Sequence, residues 1–278
     1  MRARVLIPIL AIVAIAVAAL AGAFSSGGSA PASLGGLQNA ASATERTTGV
    51  HLSLALTTSG GPVQVSMNGG GEMDPATREG NIKLTINSTG SQTSQISMTE
   101  VLKGGMLYLE SPLLSEHLPG GQHWVSIDLQ ELEQSLGASP ASSEFGVDPS
   151  QYLDYLRASG AQVTDAGKQT LRGQPVTLYT GTINILHAIE LSAGATGAKA
   201  ASKVASQMRN ATAVPIEAWV GSDHRLHKVA MTLETQGAVS ERVNVVAEYF
   251  DFGPIKPVTA PPASEVFDIT EQLLSHLP

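Results

Sequence analysis

Two pairs of residues in this chain have types and spacings that could perform chemistry. Glu72 and Asp74 lie two apart in a predicted strand, so both carboxylates share a face, as a paired acid site requires. A solvated strand face beside a turn at 69–71 explains them better. His224 and His227 flank a predicted hairpin turn, but their spacing does not place both on one strand face, and no third metal ligand is evident. We therefore predict neither a catalytic site nor a metal site.

The sequence also lacks the motifs of established catalytic sites. It has no Gly-x-Ser-x-Gly, Ser-x-x-Lys or His-Glu-x-x-His pattern and no phosphate-binding loop. Asp128, Asp148 and Asp268 are better explained as helix caps than as catalysts. Cysteine is absent, which excludes thiol catalysis, cysteine-ligated metals and disulfides. These observations predict a protein that is not an enzyme and that needs no cofactor.

The N-terminus has the layout of an export signal. Arg2 and Arg4 precede an apolar run at 5–24, whose length is near the roughly 20 residues that span a bilayer. We expect residues 1–24 to be a signal peptide or an N-terminal membrane anchor. Residues 25–45 are rich in Gly, Ser and Ala and predict a flexible linker. The remaining residues, 46–278, are expected to form one domain.

The body of the chain alternates apolar and polar residues with a period of two, which is typical of antiparallel strands with one apolar face. The clearest example is the series Val50, Leu52, Leu54 and Leu56. Helix signals are gathered between two blocks of strands, which indicates an α+β fold with about ten strands. Helices are predicted at 128–136, 148–160, 186–192 and 199–209, with a short one after Asp268. The net charge of −8 argues against nucleic acid as a partner.

Methionines are frequent on the predicted strands. Met67, Met73, Met98, Met106 and Met231 are large, flexible and apolar, a property that suits an imprecise apolar ligand. Each of them taken singly is better explained as ordinary core filling. The residues alone leave both alternatives open.

A series of segments in fixed order resembles the actinobacterial LppX/LprG-type lipoproteins, which are related in shape to the lipoprotein carrier LolA. The segments are GGEMD at 70–74, MLYL at 106–109, QHWVSIDL at 122–129, DPSQYLDYL at 148–156, LRG at 171–173, VPIEAWV at 214–220 and YFDFG at 249–253. The resemblance implies a strongly curved antiparallel half-barrel of about ten or eleven strands. It also implies that helices cover the concave face and enclose an apolar cavity for acyl chains.

One position departs from the pattern of this family. Precursors of the family end their signal in Leu-Ala-Gly-Cys, whereas this chain has Leu20, Ala21, Gly22 and Ala23. Without the cysteine, residue 23 cannot be lipidated. We therefore expect an extracytoplasmic protein that is either anchored in the cytoplasmic membrane through residues 5–24 or secreted after cleavage.

The function that this resemblance implies is non-enzymatic binding or transfer of lipids or lipoglycans in the bacterial cell envelope. The partners would be an acyl lipid or glycolipid and an envelope transporter. The alternative is a membrane-tethered interaction or scaffolding module with a filled core and no ligand. The residues expected to line the cavity are Met67, Leu84, Ile86, Met98, Tyr108, Leu178, Ile183, Met231 and Leu233, with Trp124 and Trp219 as its gate or floor. A slip of one residue would invert which face points inward.

Overall fold

The structure, a computed structural model, describes residues 40, 43–44, 46–90, 93–131, 163–184, 186, 209–210, 212–235 and 241–276. The strands are β1 (Val50–Ser59), β2 (Gln64–Asp74), β3 (Glu79–Thr89), β4 (Ser94–Lys103), β5 (Met106–Glu110), β6 (Trp124–Asp128), β7 (Val163–Leu171), β8 (Gln174–Ile183), β9 (Val214–Gly221), β10 (Leu226–Glu234), β11 (Arg242–Phe250) and β12 (Val266–Asp268). The helices that the structure describes over their whole length are α1 (Pro112–Ser115) and α2 (Thr270–His276), with single 3₁₀ turns at Pro119–Gly121 and Ala263–Glu265.

All twelve strands belong to one open, curved sheet, which confirms the predicted half-barrel of an α+β fold. Their order is β12-β6-β5-β4-β3-β2-β1-β11-β10-β9-β8-β7, so β1 joins the first block of strands to the last. Every neighbouring pair is antiparallel except β12 with β6. That short parallel strand is formed from the end of the chain, and the alternation of apolar residues did not predict it.

The two faces of the sheet differ in burial, and β1 shows the pattern. Leu52, Leu54 and Leu56 are almost fully buried, whereas His51 and Ser53 between them are half-buried. Strand partners in register share a face, so the pairing carries this assignment from strand to strand. We call the face that bears Leu54 the inner face and the opposite one the outer face.

The glycines at 69–71 lie inside β2 and do not form the turn that the sequence predicted. Gly69 and Gly71 fall on the inner face, opposite Leu84 and Ile82 of β3. A side chain at Gly71 would collide with the backbone carbonyl of Asn81. Glycine here permits an unusually close approach of two backbones, a recognised use of glycine within strands.

The helix caps agree with the sequence wherever the structure describes them. The Asp128 carboxylate accepts a hydrogen bond from the backbone N–H of Glu131 at 3.0 Å, and the helix begins at Leu129. Asp268 accepts from the backbone N–H of Thr270 at 2.8 Å at the start of α2. The buried Thr270 hydroxyl in turn accepts from the N–H of Asp128 at 2.8 Å, which ties α2 to the end of β6.

Several predicted segments lie outside the described residues. They include the apolar run at 5–24, most of the linker at 25–45, and the helices at 148–160 and 199–209. Of the helix at 186–192, only Leu186 is described. Among the helices that the structure does describe, none has the length and apolar character needed to cross a bilayer.

We expect Gly71→Ala to lower the free energy of unfolding by about 1–3 kcal/mol, because the added methyl group overpacks the β2–β3 contact. Urea denaturation followed by circular dichroism measures the change. Gly253→Ala is the matched control, since a methyl group there meets open space. Equal stability of the two variants would contradict the close approach.

Candidate functional site

The inner face is a continuous apolar surface across the middle of the sheet. Its buried side chains come from β1, β2 and β3 on one side and from β9, β10 and β11 on the other. They form one hydrophobic cluster: Val50, Leu52, Leu54, Leu56, Met67, Met73, Ile82, Leu84, Ile86, Met98, Val214, Ile216, Ala218, Val220, Val229, Met231, Leu233, Val243, Val245, Ala247 and Tyr249. Ala40 and Leu186, from helical segments near the sheet, pack against the same cluster. This part of the inner face is therefore a fully buried hydrophobic core.

The inner face is different near the β12 edge of the sheet. Val125 is buried there, but six larger apolar side chains are only half-buried, although register places them on the same face as the core. They are Ile96, Leu102, Leu107, Leu109, Ile127 and Phe267. We call these six residues the apolar wall. Half-buried leucine and isoleucine side chains next to a buried core leave apolar surface that a ligand or another part of the chain could cover.

The structure separates the eleven residues predicted to line a cavity into two groups. Seven lie on the inner face within the buried cluster: Met67, Leu84, Ile86, Met98, Ile183, Met231 and Leu233. Four lie on the outer face: Tyr108, Trp124, Leu178 and Trp219. The inner set adjoins the apolar wall through Met98. The outer set cannot share a ligand with it, because the sheet stands between them.

Glu100 lies within the apolar wall, and sequence reasoning missed it. Its register partners are Ile82 on β3 and Leu109 on β5, and it is in phase with Met98 along β4. Burial raises the pKa of the Glu100 carboxyl from 4.5 to about 7. The alternation of β4 carries the signal that would have revealed it, since Ile96, Met98 and Glu100 are spaced by two.

The outer face carries a separate cluster around Trp219. Val176 and Leu178 pack against the indole ring, and the indole N–H donates to the side-chain oxygen of Gln169 at 2.8 Å. The Lys228 ammonium lies 4.9 Å from the centre of the same ring. These contacts make Trp219 a packing residue of the outer surface.

A strip of paired charges continues from that cluster along the outer face. Glu248 binds the Lys228 ammonium at 3.3 Å and the Arg172 guanidinium at 3.0 Å. The Arg172 guanidinium lies 3.9 Å from the centre of the Phe250 ring. The His51 ring stacks on the same Phe250 ring, with 5.9 Å between the ring centres. A groove of about 290 Å³ lies here, lined by Leu171, Arg172, Gln174, His227, Phe250 and Asp251. Because both cations of the strip are paired with Glu248, it offers little attraction for an anion.

The two residue pairs first considered for chemistry are engaged in structural contacts. Glu72 and Asp74 do share the outer face, but Glu72 lies 3.4 Å from the Nε2 atom of His51, and Asp74 accepts from the backbone N–H groups of Ala76 and Thr77. No common acid site is formed.

His224 and His227 likewise do not meet on a metal. The Nε2 atom of His227 lies 3.1 Å from the Asp223 carboxylate, and His224 has a positive φ of 58° in the turn. Burial raises the pKa of Asp223, but hydrogen bonds from the Arg225 backbone and from His227 outweigh it and leave the pKa below its usual value. Among the residues that the structure describes, no three His, Asp or Glu side chains are grouped so as to hold a metal ion.

We expect Glu100→Gln to remove a loss of stability that the native protein suffers as the pH rises. The folded carboxyl keeps its proton up to about pH 7, whereas the unfolded chain releases it near 4.5, so ionisation favours the unfolded state between these values. Between these pH values, the unfolding free energy of the variant should rise relative to that of the native protein, by at most about 3 kcal/mol. Above this range the difference between the two proteins should stay constant. Urea denaturation at a series of pH values measures the difference. Parallel pH profiles would contradict the burial of this carboxyl.

Comparison with known protein sequences gives a partial match. No family model matches the chain. An uncharacterized 31.2 kDa protein of Streptomyces griseus is 27% identical over 158 residues, which cover 55% of this chain and 50% of that protein. The chain thus spans about half the length of the curated relative it matches.

Two solved structures are covered almost completely by this chain, and the first of them is a lipoprotein. LppX of Mycobacterium tuberculosis is 16% identical, with a TM-score of 0.46 over 83% of this chain and 100% of that one. LprF of Mycobacterium bovis is 17% identical, with a TM-score of 0.43 over 84% of this chain and 99% of that one. The chain is thus similar to LppX and LprF.

Proposed function

We propose that this protein is a non-enzymatic, extracytoplasmic protein that binds or transfers lipids or lipoglycans in the bacterial cell envelope. Acyl chains would lie along the inner face of the sheet. The observation that supports the proposal is the difference in burial within that face, where a fully buried core adjoins the half-buried side chains of the apolar wall.

The wall has the chemistry to hold an acyl chain without specific polar contacts. Leu107, Leu109 and Ile127 occupy register positions on adjacent strands, so their side chains form a continuous apolar strip. Burying a methylene contributes about 0.8 kcal/mol, so ten methylenes would contribute about 8 kcal/mol before the cost of ordering the chain. Met98 borders the strip, and its flexible side chain can adapt to chains of different shape.

The sequence supports the same reading independently of the wall. The ordered segments that resemble LppX/LprG-type lipoproteins extend over both blocks of strands, and the apolar run at 5–24 predicts export. An anchored protein would present lipids to an envelope transporter, and a cleaved one would carry them freely. Because residue 23 is alanine and not cysteine, lipidation at that position is excluded, and the anchored and the cleaved forms are the two alternatives.

Mass spectrometry of the full chain purified from its native envelope tests the proposal. Under native conditions we expect a fraction with the added mass of one or more lipids, and we expect that mass to disappear on denaturation. A clean apo mass, together with no uptake of fluorescent acyl lipid, would refute lipid binding and favour the scaffolding alternative.

A pair of neighbouring substitutions tests where the lipid binds. Leu107 lies on the inner face and Met106 on the outer face, and both are half-buried. Leu107→Gln should weaken the binding of a fluorescent acyl lipid by roughly tenfold or more, because the amide loses its hydrogen bonds to water when the chain covers it. Met106→Gln adds the same amide on the other face and should leave the affinity within about twofold. Equal effects of the two variants would place the lipid elsewhere.

A further inference from the structure

Glu100 is the one charged side chain that the described residues of β1–β6 place on the inner face. Its cross-strand neighbours are Ile82 and Leu109, and its neighbours along β4 on the same face are Met98 and Leu102. It is therefore surrounded by apolar side chains on all four sides. The side chain is half-buried.

The structure gives Glu100 no structural partner among the residues it describes. The two lysines on strands around it lie on the other face: Lys83 is in register with Thr99, and Lys103 forms an ion pair with Glu79. No hydrogen-bond donor in the described part of the chain contacts the Glu100 carboxyl. A carboxyl among apolar side chains is less favourable than leucine would be at this position.

The chemistry around Glu100 restricts what could satisfy it. A phosphate or carboxylate would repel an ionised Glu100, and the wall supplies no donor to hold such an anion. An ammonium group would lose much of its hydration on entering the apolar wall, a cost that an ion pair seldom repays. A hydroxyl group pays a smaller desolvation cost and can donate to the carboxylate or accept from the carboxylic acid. With a pKa raised to about 7 by burial, both forms of the carboxyl occur near neutral pH.

We propose that Glu100 forms a hydrogen bond with a hydroxyl group of a neutral acyl lipid bound along the apolar wall. The proposal rests on the proposed function and adds the chemical class of the ligand. The hydroxyl could belong to the glycerol of an acylglycerol or to the sugar of a glycolipid. In either case Glu100 fixes the position of the polar end, and the wall holds the acyl chains.

Binding of three fluorescent lipids with identical acyl chains tests the proposal on the full chain. The probes are a diacylglycerol, the same lipid with its hydroxyl acetylated, and a monogalactosyl diacylglycerol. The native protein should prefer at least one hydroxyl-bearing lipid over the acetylated one by roughly fivefold or more. The lipid that shows this preference identifies the source of the hydroxyl.

Glu100→Leu should abolish the preference while binding of the acetylated lipid persists or improves. Glu100→Gln should retain part of the preference, because the amide also donates and accepts hydrogen bonds. Glu110→Leu is the matched control, since Glu110 lies on β5 but on the outer face, and it should behave as the native protein does.

Two results would overturn the proposal. An undiminished hydroxyl preference in both Glu100 variants would show that another group recognises the ligand, although lipid binding itself would stand. A stronger, Glu100-dependent preference for phosphatidylethanolamine of the same chains would assign the carboxylate to an ammonium group instead. Failure of the native protein to bind any of these lipids would overturn the proposed function as well, so the two failures are distinguishable.

Discussion

The structure depends on one constraint, the shared register that keeps the apolar residues of neighbouring strands on the same face. Strand β1 is where this matters most, because it pairs with β2 on one side and with β11 on the other. Leu54 thereby stands in line with Gly69 and with Ala247. A slip of one residue in either pairing would turn the leucines of β1 away from the core. With no disulfide to hold the strands, burial and the hydrogen-bond ladder must fix this register.

The same face provides both stability and a place to bind. In the middle of the sheet, side chains such as Leu52 and Tyr249 are almost fully buried and supply the core. Toward β12 the wall residues remain half-buried, so each gives up part of the free energy that burial would provide. A ligand that covered the wall would gain this remaining free energy of burial. Glu100 places a carboxyl among these apolar side chains, where burial raises its pKa to about 7.

Alternation in the sequence predicted the strands well and their faces unevenly. It was reliable for Met67, Leu84 and Met231, because each continues a run of apolar residues spaced by two. It gave no guidance for Trp219, which lies in the apolar segment AWV, where both faces are apolar. Tyr108 lies in the apolar segment MLYL, where alternation likewise does not distinguish the two faces.

Other differences arise from information that is not local in the sequence. The glycines at 69–71 were taken for a turn, but their place inside β2 depends on the backbone of β3. Strand β12 has only three residues and pairs with β6, which is distant in the sequence, so no local pattern reveals it. Glu100 was overlooked because a single charge in a strand ordinarily indicates the solvated face. Only the register of β3, β4 and β5 shows the reverse.

The edges of an open sheet determine where its apolar surface can be used. The edge strand β7 is almost entirely exposed and polar, and a bulge between Asp165 and Gly167 interrupts its pairing with β8. These are features that prevent another strand from adding to a sheet edge. The opposite edge, β12, is only three residues long and offers little backbone for pairing. Since neither edge favours extension of the sheet, the apolar wall is better suited to a ligand lying across its face than to a partner strand added beside it.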